Sequence, residues 1–355
     1  MRIDGIYLAG IGVHLPDRVA TADAVARGWY DETARTDSGL LSTTVAGDTP
    51  APDMAIAAAR QAVAHSGADP ATFAALFYSN VHYQGPDGWS AHHYVLRNTL
   101  DRPVPAIEVR QGCNGVLAGL QLGACYLAAL PEDRNLLLAA ADNFSTPVVD
   151  RWRTCGLYVL GDGGAAVVLS KRGGFARLVA VGSLSNPEME ELHRGGEVLF
   201  PPSVTVGRPM DLEARREYWQ QAWANGVTPP MGHMGEIVAG AVRRTLAEAG
   251  LTMSDIRRVA HVHFAREALR NMYMDPLDID ETKQGTWEFA RRTGHAGAVD
   301  AVAGLHHLWT TGQVAEGDYV LLLGATPGME AGCAVVQIQQ PVPADLAVSM
   351  DAALC

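Results

Sequence analysis

Residues 59–82 read ARQAVAHSGADPATFAALFYSNVH, and residues 242–263 read VRRTLAEAGLTMSDIRRVAHVH. Each stretch carries apolar residues at helical spacing, stops at a glycine (Gly67, Gly250), passes a short linker and ends in a run suited to a buried strand. The two glycines stand 183 positions apart. A second pair follows at nearly the same offset: residues 111–123 read QGCNGVLAGLQLG and residues 293–304 read TGHAGAVDAVAG, so that Gly112 matches Gly294 and Gly115 matches Gly297. Each continues as a helix of small and apolar residues. Each helix leads to a buried strand, NLLLAAA from Asn135 and YVLLLG from Tyr319, and each half closes on a further strand, GAAVVL from Gly164 and GCAVVQ from Gly332.

Strands alternating with helices argue an α/β protein with largely buried sheets. Two such halves argue a duplicated chain folded about a pseudo-two-fold axis. The expected organisation is a first half over 1–173, an insertion over 174–235, a second half over 236–340 and a tail over 341–355. Within the insertion, residues 183–233 depart from the repeat and hold Pro187, Pro201, Pro202, Pro209, Pro229 and Pro230, with Trp219 and Trp223 in a predicted helix over 212–225. The segment reads as a cap that shapes the substrate site; a linker or a dimer contact fits it as well.

The 355 residues are 48% hydrophobic and 19% charged, which is ordinary for a globular chain and enough to bury a sizeable core. The net charge of −12 argues against non-specific nucleic-acid binding. The start, Met1 to Gly5, holds no apolar signal core, and no stretch is long and apolar enough to span a bilayer, so a cytoplasmic protein with no membrane association is expected. Five cysteines (Cys113, Cys125, Cys155, Cys333, Cys355) show no paired spacing and imply neither a disulfide framework nor a zinc site. No Walker loop and no G-x-S-x-G elbow occur, Gly10-Ile-Gly12 lacks the third glycine of a dinucleotide loop, and no metal or cofactor is expected.

Cys113 is the candidate nucleophile. It lies at a predicted strand-to-helix turn, where unpaired N–H groups and the positive end of the helix dipole stabilise a thiolate, and the flanking glycines let a thioester approach the backbone. Cys125 and Cys333 fall inside apolar helix and strand patterns and read as buried structural residues. A cysteine nucleophile needs a base. His263 follows a predicted strand at the end where α/β sites gather, with His261 on the same face but deeper. His295 occupies the place equivalent to Cys113, so a two-fold arrangement can set the two side chains face to face. His92, His93, His306 and His307 read as packing or surface residues.

These residues resemble β-ketoacyl-ACP synthase III and its secondary-metabolism relatives in the thiolase superfamily. The resemblance rests on five strings in order: Ile11-Gly-Val-His-Leu-Pro-Asp-Arg-Val, the Cys113 turn, Gly161-Asp-Gly-Gly-Ala-Ala-Val-Val-Leu, His263-Phe-Ala-Arg and Gly294-His-Ala-Gly-Ala. It implies the thiolase fold, duplicated βαβαβαββ halves in an αβαβα layered arrangement, and a homodimer. It implies that Cys113 is acylated by an acyl carrier protein or acyl-CoA thioester and that His263 is the catalytic histidine. His295 stands where this family has Asn, which resembles the Cys-His-His set of the elongating synthases. Asp300 is placed to contact His295 or substrate, and Asn114 beside the nucleophile is a second candidate of that kind. The oxyanion would be held by the N–H of Cys113 and of Gly328, since Pro327 has no N–H. Arg266 and Arg270 are candidates for docking the carrier.

Two departures from the family bear on activity. The segment that grips coenzyme A is replaced by Trp29-Tyr-Asp-Glu-Thr-Ala-Arg-Thr-Asp-Ser-Gly, which favours a carrier-bound donor. Loss of the Asn argues against decarboxylation of a malonyl partner. The expected reaction is therefore acyl transfer from Cys113 to a hydroxyl, amine or carrier thiol in natural-product assembly. The alternative is decarboxylative carbon–carbon condensation. A catalytically silent partner subunit is disfavoured by the presence of the cysteine.

Overall fold

The computed structural model describes residues 1–131, 133–227 and 234–354; Pro229, Pro230 and Cys355 lie outside them. The first half runs β1 (Tyr7–His14), β2 (Arg18–Ala20), α1 (Thr21–Ala26), α2 (Glu32–Ser38), β3 (Ser42–Thr44), α3 (Ala51–Ser66), β4 (Phe73–Ser79), α4 (Ala91–Thr99), β5 (Ala106–Glu108), α5 (Gly115–Ala128), β6 (Asn135–Asp142) and β7 (Gly163–Ser170). The rest of the chain runs β8 (Ala176–Ser185), α6 (Glu190–Arg194), α7 (Leu212–Ala224), α8 (Met234–Ala249), β9 (Ile256–Ala260), α9 (Arg266–Leu269), α10 (Trp287–Ala290), α11 (Asp300–Thr310), β10 (Tyr319–Thr326), β11 (Glu330–Ile338) and α12 (Met350–Leu354).

The repeat in the sequence becomes a repeat in space. Helices α3 and α8 end in the same way: Gly67 and Gly250 take left-handed φ of 60° and 71°, and their N–H groups bond back to Ala64 O and Ala247 O. The described residues form a nine-stranded sheet in the order β5-β4-β6-β7-β1-β8-β11-β10-β9. Read outward from the centre, the order is the same on both sides: first strand, last strand, next-to-last strand, second strand. The β4–β6 and β9–β10 pairs are parallel, and the remaining pairs from β6 through to β10 are antiparallel. The halves join at a short seam, where Tyr7 faces Arg177 and Leu8 faces Ala176.

The layers follow from which helices carry which core. Helix α3 packs on β1, β6 and β7, and α8 packs on β8 and β11, as the two outer layers. Helices α5 and α11 lie between the half-sheets: α5 touches β4 and β6 of one and β8 and β11 of the other, and α11 touches β9 and β10 and also β1 and β7. This is the αβαβα arrangement of the thiolase fold. It also explains why the strands read as continuous apolar runs, since sheets covered on both faces have no wet side to pattern.

One difference between the halves lies beyond β9. Where the first half forms β5, residues 264–286 contain α9, a π turn at Arg270–Met274 and a 3-10 turn at Asp275–Leu277. Pro276, with no N–H to give a ladder, stands in the last of these. Cys125 also departs from expectation. It is exposed, whereas Cys333 is buried. Helix α5 is apolar on nearly every side, so its sequence does not mark which face meets solvent. Among the described residues, no helix is long and apolar enough to cross a membrane.

Candidate active site

The nucleophile turn is built where backbones meet closely. Cys113 lies half-buried in a 3-10 turn, Gly112–Asn114, that runs directly into α5. Gly112 has φ +52°, and a Cβ there would stand 2.2 Å from Thr326 Oγ1 at the end of β10. At Gly115 a Cβ would stand 1.7 Å from Ser79 Oγ at the end of β4. The turn is thereby clamped between one strand end from each half, with the sulfur at the positive end of a 14-residue helix.

Its partner comes from the equivalent turn of the other half. His295 Nε2 lies 3.0 Å from Cys113 Sγ. Its other nitrogen, Nδ1, lies 2.6 Å from Asp300 Oδ2, on the first turn of α11. Asp300 further accepts the N–H of His263 (2.8 Å) and of Ala296 (2.9 Å). An ionised carboxylate only accepts, so Nδ1 carries the proton and Nε2 faces the sulfur. Burial disfavours charge on His295, but Cys113 in front and Asp300 behind outweigh it and hold the imidazole pKa well above its ordinary value. Burial would likewise raise Asp300; the two histidines and the backbone N–H groups hold it below the usual carboxylate range.

The imidazole hydrogen-bonded to the sulfur is that of His295. His263 is held through its other neighbours. Its Nδ1 donates to Gly294 O (3.1 Å) and lies 2.7 Å from Thr293 Oγ1, while Nε2 is buried with no partner among the described residues. It lies just beyond β9, with its ring edge-on to Phe289. His261 is deeper still: Nδ1 donates to Val262 O, Nε2 accepts from Thr286 N, and burial pushes its pKa down to about 4.

Asn114 closes the nucleophile turn. It is buried, and its Nδ2 donates to Glu330 Oε1 (2.8 Å), whose other oxygen accepts from Ser185 Oγ (3.1 Å). The amide thus ties the nucleophile turn to the β10–β11 hairpin that carries Gly328. Arg266 and Arg270 are exposed but engaged, with Glu281 at 2.9 Å and Asp275 at 3.5 Å. Trp29 lies under Arg27, and Arg35 pairs with Glu32.

A cavity of about 1030 Å³ opens onto the pair. Cys113, His295 and Gly328 share its wall. The insertion forms part of that wall through Met189, His193, Leu212 and Trp219, and the short helices after β9 add Met272 and Tyr273. Two features here were not legible in the sequence. Tyr158 packs its ring 4.7 Å from His295 and 4.8 Å from Phe264, and burial raises its hydroxyl pKa. Asp142, wholly buried at the end of β6, accepts the N–H groups of Val81 and His82, and burial lifts its pKa to about 7 despite those bonds. The alternation of small apolar residues along β6 gave no sign of a carboxylate with such a place.

A cysteine set against a histidine that a carboxylate orients, in a thiolase fold, defines an acyl-transferring enzyme. Known proteins agree. Residues 107–184 match the family described as 3-oxoacyl-[acyl-carrier-protein (ACP)] synthase III, and residues 246–338 match its C-terminal counterpart. A solved structure described as ChlB3, an acyltransferase, is 42% identical, covers 95% of this chain and 98% of its own, and superposes with a TM-score of 0.89. The β-ketoacyl-[acyl-carrier-protein] synthase III 3 of Streptomyces coelicolor is 26% identical over 345 residues, 93% of this chain and 96% of that protein. The priming β-ketosynthase of the R1128 polyketide pathway, at 21% identity, shares the fold with a TM-score of 0.74 over 95% of this chain and 97% of its own. The chain belongs to the 3-oxoacyl-ACP synthase III family, and is an enzyme of the acyltransferase kind.

Proposed function

We propose that the protein moves an acyl group from a carrier-protein thioester onto a hydroxyl, amine or carrier thiol through a Cys113 thioester, without forming a carbon–carbon bond. The observation that carries this reading is the line Asp300–His295–Cys113, with contacts of 2.6 Å and 3.0 Å. A histidine held in one tautomer against a thiol is built to move a proton to and from sulfur. The donor-rich Asn that the resemblance associates with a decarboxylating site is replaced by that same histidine.

In the first step Sγ attacks the thioester carbonyl as the thiol proton passes to Nε2. The oxyanion is held by the N–H groups of Cys113 and Gly328, each worth about 3–4 kcal/mol. The donor carbon–sulfur bond breaks, and the departing sulfur takes the proton from Nε2. In the second step the acceptor gives its proton to Nε2 while its heteroatom attacks the acyl carbon, and the Cys113 sulfur leaves. The largely apolar cavity supports an acyl group bulkier than acetyl. A homodimer is part of the reading, because β5 stands at the sheet edge with Ile107 exposed.

The test is intact-protein mass spectrometry of wild type and Cys113→Ala after exposure to acyl-carrier and acyl-CoA thioesters. The expected result is an adduct on wild type alone, discharged by an acceptor with no release of carbon dioxide. Carbon dioxide released from a malonyl thioester in step with product would replace this reading with decarboxylative condensation.

A further inference from the structure

The segment that breaks the repeat brings a phenol to the nucleophile. Tyr273 lies in the π turn Arg270–Met274, in the stretch that stands where the first half forms β5. Single π turns are rare and recur at functional sites. Tyr273 is 1% exposed, its ring stands edge-on to that of Phe264 at 5.6 Å, and it forms part of the wall of the Cys113 cavity.

What sets it apart is the hydroxyl. A buried phenol normally finds a hydrogen-bond partner. Tyr158, on the same wall, has one in Cys155. Tyr273 has none among the described residues, and its oxygen is not one of the partnerless atoms sealed inside the core. The hydroxyl therefore opens on the cavity. It stands near the reacting atoms, because the charges of Cys113 and Asp300 both act on it. Burial, reinforced by those two charges, raises its pKa and keeps the proton on oxygen, so the group is a donor. It makes no hydrogen bond to the sulfur, which His295 Nε2 contacts at 3.0 Å.

An unmet donor beside the nucleophile, but out of its reach, faces the space that the first carbons of a Cys113-bound acyl group fill. The carbonyl oxygen of that group is held by the N–H groups of Cys113 and Gly328 in the reaction above. The next oxygen able to meet the phenol is one on the α or β carbon. A plain alkanoyl chain offers none, and would cover the hydroxyl with methylene and leave it buried and unpaired.

We infer that Tyr273 is a specificity-determining residue: its hydroxyl donates to an oxygen on the α or β carbon of the acyl group, so that the enzyme selects oxygenated acyl thioesters over plain alkanoyl ones. The inference rests on the acyl-enzyme reading above and names the class of acyl group which that reading leaves open.

The experiment uses the full chain and N-acetylcysteamine thioesters of equal length: butyryl, 2-hydroxybutyryl and 3-hydroxybutyryl. Single-turnover acylation of Cys113 is read as adduct mass for wild type and Tyr273→Phe, with a thermal melt to establish folding. The exchange removes one oxygen, keeps the ring and breaks no hydrogen bond among the described residues. Intrinsic reactivity differs among the thioesters, but it cancels in the ratio of wild type to variant. The second-order rate constant of wild type is expected to exceed that of the variant about tenfold on a hydroxylated thioester, and to match it within about twofold on butyryl. The hydroxylated thioester that responds tells whether the oxygen sits on the α or the β carbon. A variant that slows all three alike overturns the inference, since the phenol then serves the sulfur or the fold. A variant that slows none overturns it as well. If no thioester acylates wild type, the acyl-enzyme reading itself fails, and calorimetric titration of the same thioesters into both proteins then reads the cavity alone. Tighter binding of a hydroxylated thioester to wild type than to Tyr273→Phe retains the contact, and equal binding removes it.

Discussion

Asp300→Asn tests the arrangement most directly. The exchange keeps size and shape but removes a charge from a buried pair, since His295 and Asp300 side chains are 1% and 3% exposed. With the contact at 2.6 Å, the charge centres of carboxylate and imidazolium lie about 4 Å apart. At an effective dielectric of about 20 this separation is worth about 4 kcal/mol. If the imidazolium forms as sulfur gives up its proton, that energy belongs to the transition state, and its loss slows acylation by about 10³-fold. The amide has a second effect in the same direction. Its NH₂ can donate to Nδ1, which moves the imidazole proton to Nε2 and leaves no lone pair toward Cys113. The assay is single-turnover acylation of Cys113, quenched and read as adduct mass, with a thermal melt to establish that the variant is folded. A folded Asp300→Asn that acylates within about threefold of wild type would refute the argument, because the Asp300–His295 line would then carry none of the proton transfer.

His263→Gln should cost about 1–3 kcal/mol of stability through lost buried hydrogen bonds, yet leave acylation within about tenfold; a folded variant unable to acylate would return the base to His263. Asp142 binds its proton more tightly in the folded state, with a pKa of about 7 against 3.8 for the free side chain. Its contribution is therefore present below pH 4 and is lost as pH rises toward 7, so wild type should lose about 4 kcal/mol relative to Asp142→Asn across that window in urea titrations at stepped pH; a constant difference would show that the carboxylate titrates alike in both states. Gly115→Ala places a Cβ against Ser79 Oγ, and should lower stability by about 1–3 kcal/mol and slow acylation; adding Ser79→Gly should recover part of the melting temperature, and no recovery would locate the strain elsewhere.

Much of the architecture could be read before any coordinates. The Gly67 and Gly250 stops, the matched glycines of the two turns and the apolar strand runs are local signals, and each became the same local structure twice. The equivalence of Cys113 and His295 was legible for the same reason, since a two-fold relation turns positions in a repeat into neighbours in space. What was not legible depends on direction rather than identity. His263 and His295 are both histidines beside glycine-rich turns, and only the path of the chain after β9 decides which ring meets the sulfur. The pairing of Arg266 with Glu281 and of Arg270 with Asp275 has no motif to announce it either. Asp142, Tyr158 and the hydrogen-bonded set Glu197, Arg215 and Ser203 are assembled from separate segments, with no motif to join them.

Strands β1 and β8 pair over two residues, the chain start continues the join with Arg2 opposite Ala180, and the reacting sulfur and nitrogen stand on opposite sides of it. Each half contributes one of the two atoms, so neither half holds a rudimentary catalyst by itself. The middle helices interlock the halves, because α5 and α11 each bear on both sheets. A small rotation of one half about the other would therefore be resisted along two whole helices, and would at once lengthen a 3.0 Å contact that tolerates little stretch. Integrity of the doubled core and competence of the site are in this sense a single property: a lesion deep between the sheets, far from any substrate, should register first as a slower thiol.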